Sequence, residues 1–218
     1  MRKCLFMFDL DGTLVDAYTA VRQSLNHTRR HFGYGPLSLA QIKRRVGRGD
    51  IRFVQQFFRD EHKEAALAMY RRHHAPALRR FACLKPYARE TLQWLQQRGI
   101  QLAIASNRPA RYTDIILRTT AIKRLFACVL CADEINSLKP HPKILREIMR
   151  RLHTRPGDTV FVGDMDIDME TAQRAGVDAI FITGGSSRRE EIGNYRPQAI
   201  IRTLRQLKTY VQNGERSV

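Results

Sequence analysis

Phe8-Asp9-Leu10-Asp11-Gly12-Thr13-Leu14-Val15-Asp16 is the stretch that decides how this chain is read. It follows Leu5-Phe6-Met7-Phe8, a short apolar run of the kind that forms a buried strand. A strand that ends in two carboxylates and a glycine has stopped building core and begun presenting charge. Asp9 and Asp11, two residues apart at such an end, can point into one small space. Carboxylates that close repel, so they need a cation or a proton held by one of them. Gly12 permits a sharp turn, and the amides around Gly12 and Thr13 are then placed to face an anion. A simple turn after a strand also uses Asp and Gly, so the rest of the chain has to decide.

Outward from this segment the chain divides in two. Residues 16–85 read as helical throughout. Val21, Leu25, Thr28 and Phe32 recur at helical spacing up to Gly33-Tyr34-Gly35-Pro36. Further helices are expected over Ser38–Val46, Ile51–Phe58 and Glu61–His74, with Val46-Gly47-Arg48-Gly49-Asp50 between the first two. From Pro86 the pattern alternates. A helix carrying Ala88, Leu92 and Leu95 ends at Gly99, and strand Ile100–Ala105 delivers Ser106-Asn107. Next come a helix near Pro109–Leu117, a strand at Cys128–Leu130, Lys139-Pro140-His141-Pro142, and a helix with Ile144, Leu145, Ile148, Met149 and Leu152. Strand Thr159–Val162 delivers Gly163-Asp164, a helix runs to Gly176, and strand Ala179–Ile182 enters Gly184-Gly185-Ser186-Ser187. A strand at Ala199–Ile201 and a basic amphipathic helix follow. Alternating strands and helices predict an α/β, doubly wound (Rossmann-like) parallel sheet. The expected organisation is a core of residues 1–15 and 86–218 with an inserted all-helical domain at 16–85. Such sheets bind ligands beyond the carboxyl ends of their strands, and Asp9, Ser106 and Asp164 each sit just past one.

At 218 residues the chain is long enough for a substantial core. No stretch has the unbroken apolar length of a membrane span, and Met1-Arg2-Lys3 leads into a strand without a signal-peptide pattern. A cytoplasmic protein with no membrane partner is expected. Cys128 and Cys131 have the spacing of half a zinc site, but Cys4 and Cys83 do not make the other half. Their apolar surroundings predict buried structural thiols. Lys and Arg total 38 against 21 Asp and Glu, a net charge of +17. That balance favours anionic partners and leaves nucleic acid open. The runs Lys43-Arg44-Arg45, Arg71-Arg72, Arg79-Arg80 and Arg188-Arg189 are scattered and read as solvated helix faces.

Four motifs in order, Asp9-Leu10-Asp11-Gly12-Thr13, Ser106-Asn107, Lys139-Pro140 and Gly163-Asp164 with Asp168, resemble those of the haloacid dehalogenase-like superfamily of phosphatases. The resemblance covers nearly the whole chain. It implies that Asp9 is a nucleophile and Asp11 a general acid and base. It also implies a Mg²⁺ cofactor held by Asp9, the Asp11 backbone carbonyl and Asp164, with Asp168 helping directly or through water. Oxygen-only ligands suit that ion. Thr13, Ser106, Asn107 and Lys139 are the expected phosphate-binding residues. The helical insertion corresponds to a mobile cap. Gly47, Arg48 and Gly49 within it are similar to the cap loop of phosphoglycolate phosphatases, where Arg48 is an unexpected charge that either pairs with a substrate carboxylate or lies on the surface.

The function expected from these residues is Mg²⁺-dependent hydrolysis of a small anionic phosphomonoester, 2-phosphoglycolate first, through an aspartyl-phosphate. A nucleotide, a sugar phosphate, pyrophosphate or a polynucleotide end are the alternative substrates. A nucleic-acid-binding protein on a phosphatase scaffold is the alternative of another class. A phosphonate-cleaving relative needs a cap lysine, for which Lys43 and Lys63 are available without a supporting motif.

Overall fold

The computed structural model describes residues 3–216. Met1 and Arg2 of the N-terminal segment, and the last two residues of the 86–218 assignment, lie outside the described residues. The chain begins with β1 (Leu5–Phe8) and the short β2 (Val15–Asp16). Four helices follow: α1 (Tyr18–His31), α2 (Leu39–Lys43), α3 (Asp50–Gln55) and α4 (Lys63–Phe81). After β3 (Cys83–Leu84) come α5 (Ala88–Gln97), β4 (Gln101–Ser106), α6 (Ala110–Thr119), β5 (Cys128–Cys131), α7 (Ala132–Ile135) and α8 (Lys143–Arg151). The remainder is β6 (Thr159–Gly163), α9 (Asp166–Ala175), β7 (Asp178–Ile182), β8 (Ala199–Ile201) and α10 (Gln206–Arg216).

Six strands form one sheet in the order β5-β4-β1-β6-β7-β8, every pairing parallel. Parallel strands covered on both faces have no polar side, which explains why the Leu5–Phe8 run is apolar at every position. The pleat sends Phe6 and Phe8 to the face packed by α5, α6 and α10, with Leu102, Ile104, Val160 and Val162 beside them. Leu5 and Met7 go to the opposite face, against Ile144, Ile148, Met169 and Ala172 of α8 and α9. Each of the described cysteine thiols is free, and Cys128 and Cys131 are buried, Cys128 within this second layer.

The central strand β1 lies between β4 and β6, where the winding of the sheet reverses, so the ends of all three strands open on one crevice. The chain leaves the sheet through β2 and returns through β3, and these two strands pair antiparallel, Val15 with Leu84 and Asp16 with Cys83. The elements between them are helices joined by loops, with their own core of Val21, Leu25, Ile42, Phe53, Val54 and Tyr70. Three helices differ in extent from the sequence expectation. The ones expected at Ser38–Val46 and Ile51–Phe58 are single turns or little more, Leu39–Lys43 and Asp50–Gln55. The one expected to stop at His74 continues through Pro76 to Phe81. Ala77 and Leu78, buried against the sheet layer, outweigh the hydrogen bond that proline removes. No helix among the described residues is long and apolar enough to cross a membrane.

Candidate active site

At the end of β1 the chain stops pairing as a strand, and the Asp9 amide donates to the Val162 carbonyl of β6. The turn is closed by Gly12 N–H donating to Val15 O at 2.8 Å. Gly12 has φ +87°, and a Cβ there would lie 2.3 Å from Asp164 Oδ2. Gly185, at the exit of β7, comes equally close, since its Cβ would be 2.0 Å from the same oxygen. Two glycines from separate loops thus press their backbones against one buried carboxylate. A Gly185→Ala variant is expected to lose roughly 1–3 kcal/mol of unfolding free energy through this overpacking. Urea denaturation reads the loss as a lower midpoint at unchanged slope, and an unaltered midpoint would contradict it.

Asp9, Asp164 and Asp168 come together here. Each offers a carboxylate oxygen, and these atoms all lie within 4.8 Å of one another, in buried surroundings. Lys139 is 4% exposed and donates to Asp9 Oδ1 at 2.6 Å and to Asp168 Oδ1 at 2.7 Å. Asp164 accepts from the Thr13 hydroxyl at 2.9 Å and the Ser186 amide at 2.7 Å. Asp168 also accepts from the Met165 amide through Oδ2, which closes the first turn of α9.

Three carboxylates against one ammonium leave a buried excess of two negative charges. The titration behaviour follows from that count. Burial raises the Asp9 carboxyl to about 7, with Lys139 opposing and Asp168 adding to the rise. Burial, then the charges of Asp9 and Asp168, push Asp164 well above its ordinary value. Burial works against the Lys139 ammonium, but Asp168 and Asp9 more than compensate and hold it above the usual lysine range. A divalent cation would supply the missing charge, and an all-oxygen donor set fits Mg²⁺. Asp9, Asp164 and Asp168 are the side chains that would hold it.

The Asp11 carboxylate is not part of this group. Arg108 Nε donates to its Oδ2 at 2.6 Å and Nη2 to its Oδ1 at 2.9 Å. The third guanidinium nitrogen, Nη1, donates to His74 Nε2 of α4 at 2.8 Å. A cavity of about 80 Å³ lies between the sheet end and the helices, with Asp9, Asp11, Ser106, Arg108 and Lys139 on one side and Phe53, Tyr70 and His74 on the other. Asp50 also faces it, neutralised by two hydrogen bonds from Arg71.

The remaining residues expected from sequence fare differently. Ser106 lines the cavity, and its Oγ accepts from the Arg108 amide at 3.1 Å, leaving its proton available to a ligand. Asn107 faces the cavity too, but its side chain is a clasp. Nδ2 donates to Gly47 O and Lys139 O, and Oδ1 accepts from the Lys139 amide. The Thr13 hydroxyl donates to Asp164, a fully buried carboxylate that needs donors. Gly47 and Gly49 line the cavity. Arg48 between them is exposed and is not among the lining residues, because the loop turns its backbone inward.

Arg108, His74 and Ser186 were not singled out by the motifs. Arg108 directly follows Ser106-Asn107, and Ser186 closes the glycine pair after β7, so both had a local signal. His74 had none, since nothing but the packing of α4 over the sheet end brings it there.

A family model described as haloacid dehalogenase-like hydrolase matches residues 6–182. Phosphoglycolate phosphatase 1 of Pseudomonas aeruginosa is 29% identical over 212 residues, covering 93% of this chain and 78% of that protein. Pyrophosphatase PpaX of Oceanobacillus iheyensis is 28% identical over 206 residues, covering 94% and 95%. A crystal structure from Haemophilus somnus 129pt, described as a predicted phosphoglycolate phosphatase, superposes with a TM-score of 0.90 at 24% identity, covering 97% of this chain and 99% of that one.

Proposed function

Because the chain belongs to the haloacid dehalogenase-like hydrolases and is a phosphatase of that kind, we propose that it hydrolyses a small anionic phosphomonoester, with 2-phosphoglycolate as the leading candidate. The observation that carries this reading is the buried cluster of Asp9, Asp164, Asp168 and Lys139 at the floor of a cavity bounded on its far side by Phe53, Tyr70 and His74. That space suits a phosphoryl group with a short organic tail. It favours such an ester over a polynucleotide end, despite the net charge of +17. Residues 16–85 act in this reading as a cap domain that closes over the site and excludes water. The paired strands β2 and β3 are its stem.

Asp9 is the nucleophile. Lys139 engages its Oδ1, and Oδ2 is the oxygen that attacks phosphorus. A carboxylate needs no base for this step. The bond from Asp9 to phosphorus forms as the ester oxygen leaves, and Asp11 supplies the proton that the leaving alkoxide takes. Asp11 then accepts a proton from the water that attacks the aspartyl-phosphate, and inorganic phosphate departs with Asp9 restored. Lys139 and the Ser106 hydroxyl stabilise the phosphoryl oxygens. Mg²⁺ held by Asp9, Asp164 and Asp168, with the Asp11 carbonyl, would add positive charge beside the same oxygens. Asn107 serves by holding Lys139 and the Gly47 loop in register.

The test is phosphate release from a panel of esters with Mg²⁺ or with EDTA. The panel contains phosphoglycolate, hexose phosphates, nucleotides, pyrophosphate and a 3′-phosphorylated oligonucleotide. Phosphoglycolate is expected to give the highest kcat/KM, and EDTA to abolish release. A higher value for pyrophosphate or for the oligonucleotide would replace phosphoglycolate as the substrate.

A further inference from the structure

We propose that Arg108 recognises a second anionic group of the substrate, and that Asp11 occupies its guanidinium only until that group arrives. This rests on the phosphatase reading above and specifies how the enzyme selects its ester.

Among the described residues, the cationic side chains that line the cavity are Arg108 and Lys139. Lys139 is committed to Asp9 and Asp168 beside the site of phosphoryl transfer. A carboxylate on the substrate's tail therefore has one cation to meet, and it is Arg108. The guanidinium presents two parallel N–H groups, the geometry that binds a carboxylate in bidentate fashion. That pair of donors is already shown holding a carboxylate, the one on Asp11.

His74 fixes the fork. Guanidinium only donates, so His74 Nε2 is an acceptor and the proton is on Nδ1. Nδ1 donates to Ser24 Oγ at 3.2 Å, and the Ser24 hydroxyl donates onward to Ala20 O at 2.8 Å. The imidazole is stacked on Tyr70, with ring centroids 4.7 Å apart. Neutral and held by these contacts, it orients Arg108 without competing for its charge. The helices of residues 16–85 thus aim a residue of the sheet domain.

While clasped, both Asp11 oxygens accept N–H groups from Arg108, and Asp11 cannot serve the leaving oxygen. A substrate carboxylate that takes the fork replaces one negative charge by another, so the charge balance at Arg108 is preserved. Asp11 is released toward the ester oxygen in the same exchange. An ester without a second anion leaves Asp11 clasped and is turned over slowly, with the effect on kcat as well as KM.

The experiment compares phosphoglycolate with ethyl phosphate, which has similar size and no carboxylate, in wild type, Arg108→Lys and Arg108→Gln. Wild type is expected to prefer phosphoglycolate by about 100-fold in kcat/KM, the scale of a charge-assisted bidentate contact. Arg108→Gln should reduce that preference to within a few-fold, and Arg108→Lys, which keeps charge but loses the fork, should fall between. In wild type, added acetate should accelerate ethyl phosphate hydrolysis by filling the fork, and Arg108→Gln should show no such activation. The acetate measurement on wild type needs no variant to fold. Equal losses on both esters, with no acetate effect, would overturn the assignment and leave Arg108 as a holder of Asp11. Release from neither ester by wild type would overturn the small-ester reading and Arg108's role with it.

Discussion

Asp9→Asn is expected to lower Mg²⁺-dependent phosphate release by on the order of 10⁴-fold or more, the scale seen when a nucleophile that acts as part of a unit is removed. The same variant should be more stable than wild type when both are stripped of metal at pH 8. Asparagine still accepts from Lys139 through its amide oxygen but removes one of the three buried negative charges. The sign of the pH effect follows from the Asp9 carboxyl, which burial raises from an ordinary 3.8 to about 7 in the metal-free protein. Between those values the folded state binds more protons than the unfolded state, so stability falls as pH rises through this window and levels off above it. Asp164 is raised by the same causes and steepens the fall. Differential scanning calorimetry in EDTA at pH 5.5 and pH 8 should show wild type losing several degrees between them. Asp9→Asn should lose less, and its Tm at pH 8 should exceed that of wild type by on the order of 5 °C. Full activity in Asp9→Asn would remove it as nucleophile. A lower metal-free Tm at pH 8 would contradict the charge count.

Lys139→Met should have the opposite thermal effect and an equally severe catalytic one. It deletes the ammonium that two of the three carboxylates share, at 2.6 and 2.7 Å. Breaking a buried ion pair from one side costs roughly 3–5 kcal/mol because the partner charge is left unpaired. For a chain of this size that corresponds to a fall in Tm of about 10 °C. The Lys139 ammonium is held above its ordinary range, chiefly by Asp168 and then Asp9 against the cost of burial. Its contribution is therefore constant across neutral pH and is lost only in strongly alkaline solution. The deficit of the variant should still depend on pH, larger at pH 8 than at pH 5, because protonating the abandoned carboxylates relieves it. Mg²⁺ should recover part of the loss at pH 8 by replacing the missing positive charge. Thermal unfolding with and without Mg²⁺ at the two pH values measures both effects. A variant as stable as wild type at pH 8 in EDTA would show that Lys139 does not balance the cluster.

Much of the site was legible in order along the chain. Asp9, Ser106 and Asp164 each follow an apolar run of strand length, and a parallel sheet brings the carboxyl ends of its strands to one edge. Residue type and position relative to a strand were enough for those three, and Asp168 follows from one turn of α9. Thr13 and Asn107 also lie at this edge, but the sequence did not show what their side chains hold. Their hydrogen bonds go to Asp164, and to Gly47 and Lys139, and buried polar atoms choose partners by proximity in the folded state.

Arg48 and Arg108 mark the boundary most clearly. Both are arginines beside a recognised motif, and local sequence treats them alike. One is exposed, and the other is half-buried and held between Asp11 and His74. What separates them is the docking of α4 on the sheet end, which no local pattern encodes.

The parallel sheet, the helical insertion and the acidic residues at the strand ends can all be read along the chain, because strand and helix periodicities and the polar residues that terminate them are local properties. Which cation answers which carboxylate, and which side chains enclose the space above Asp9, emerge once the chain is folded. Those outcomes depend on distances between residues far apart in the chain, and electrostatic and hydrogen-bonding energies are set by such distances.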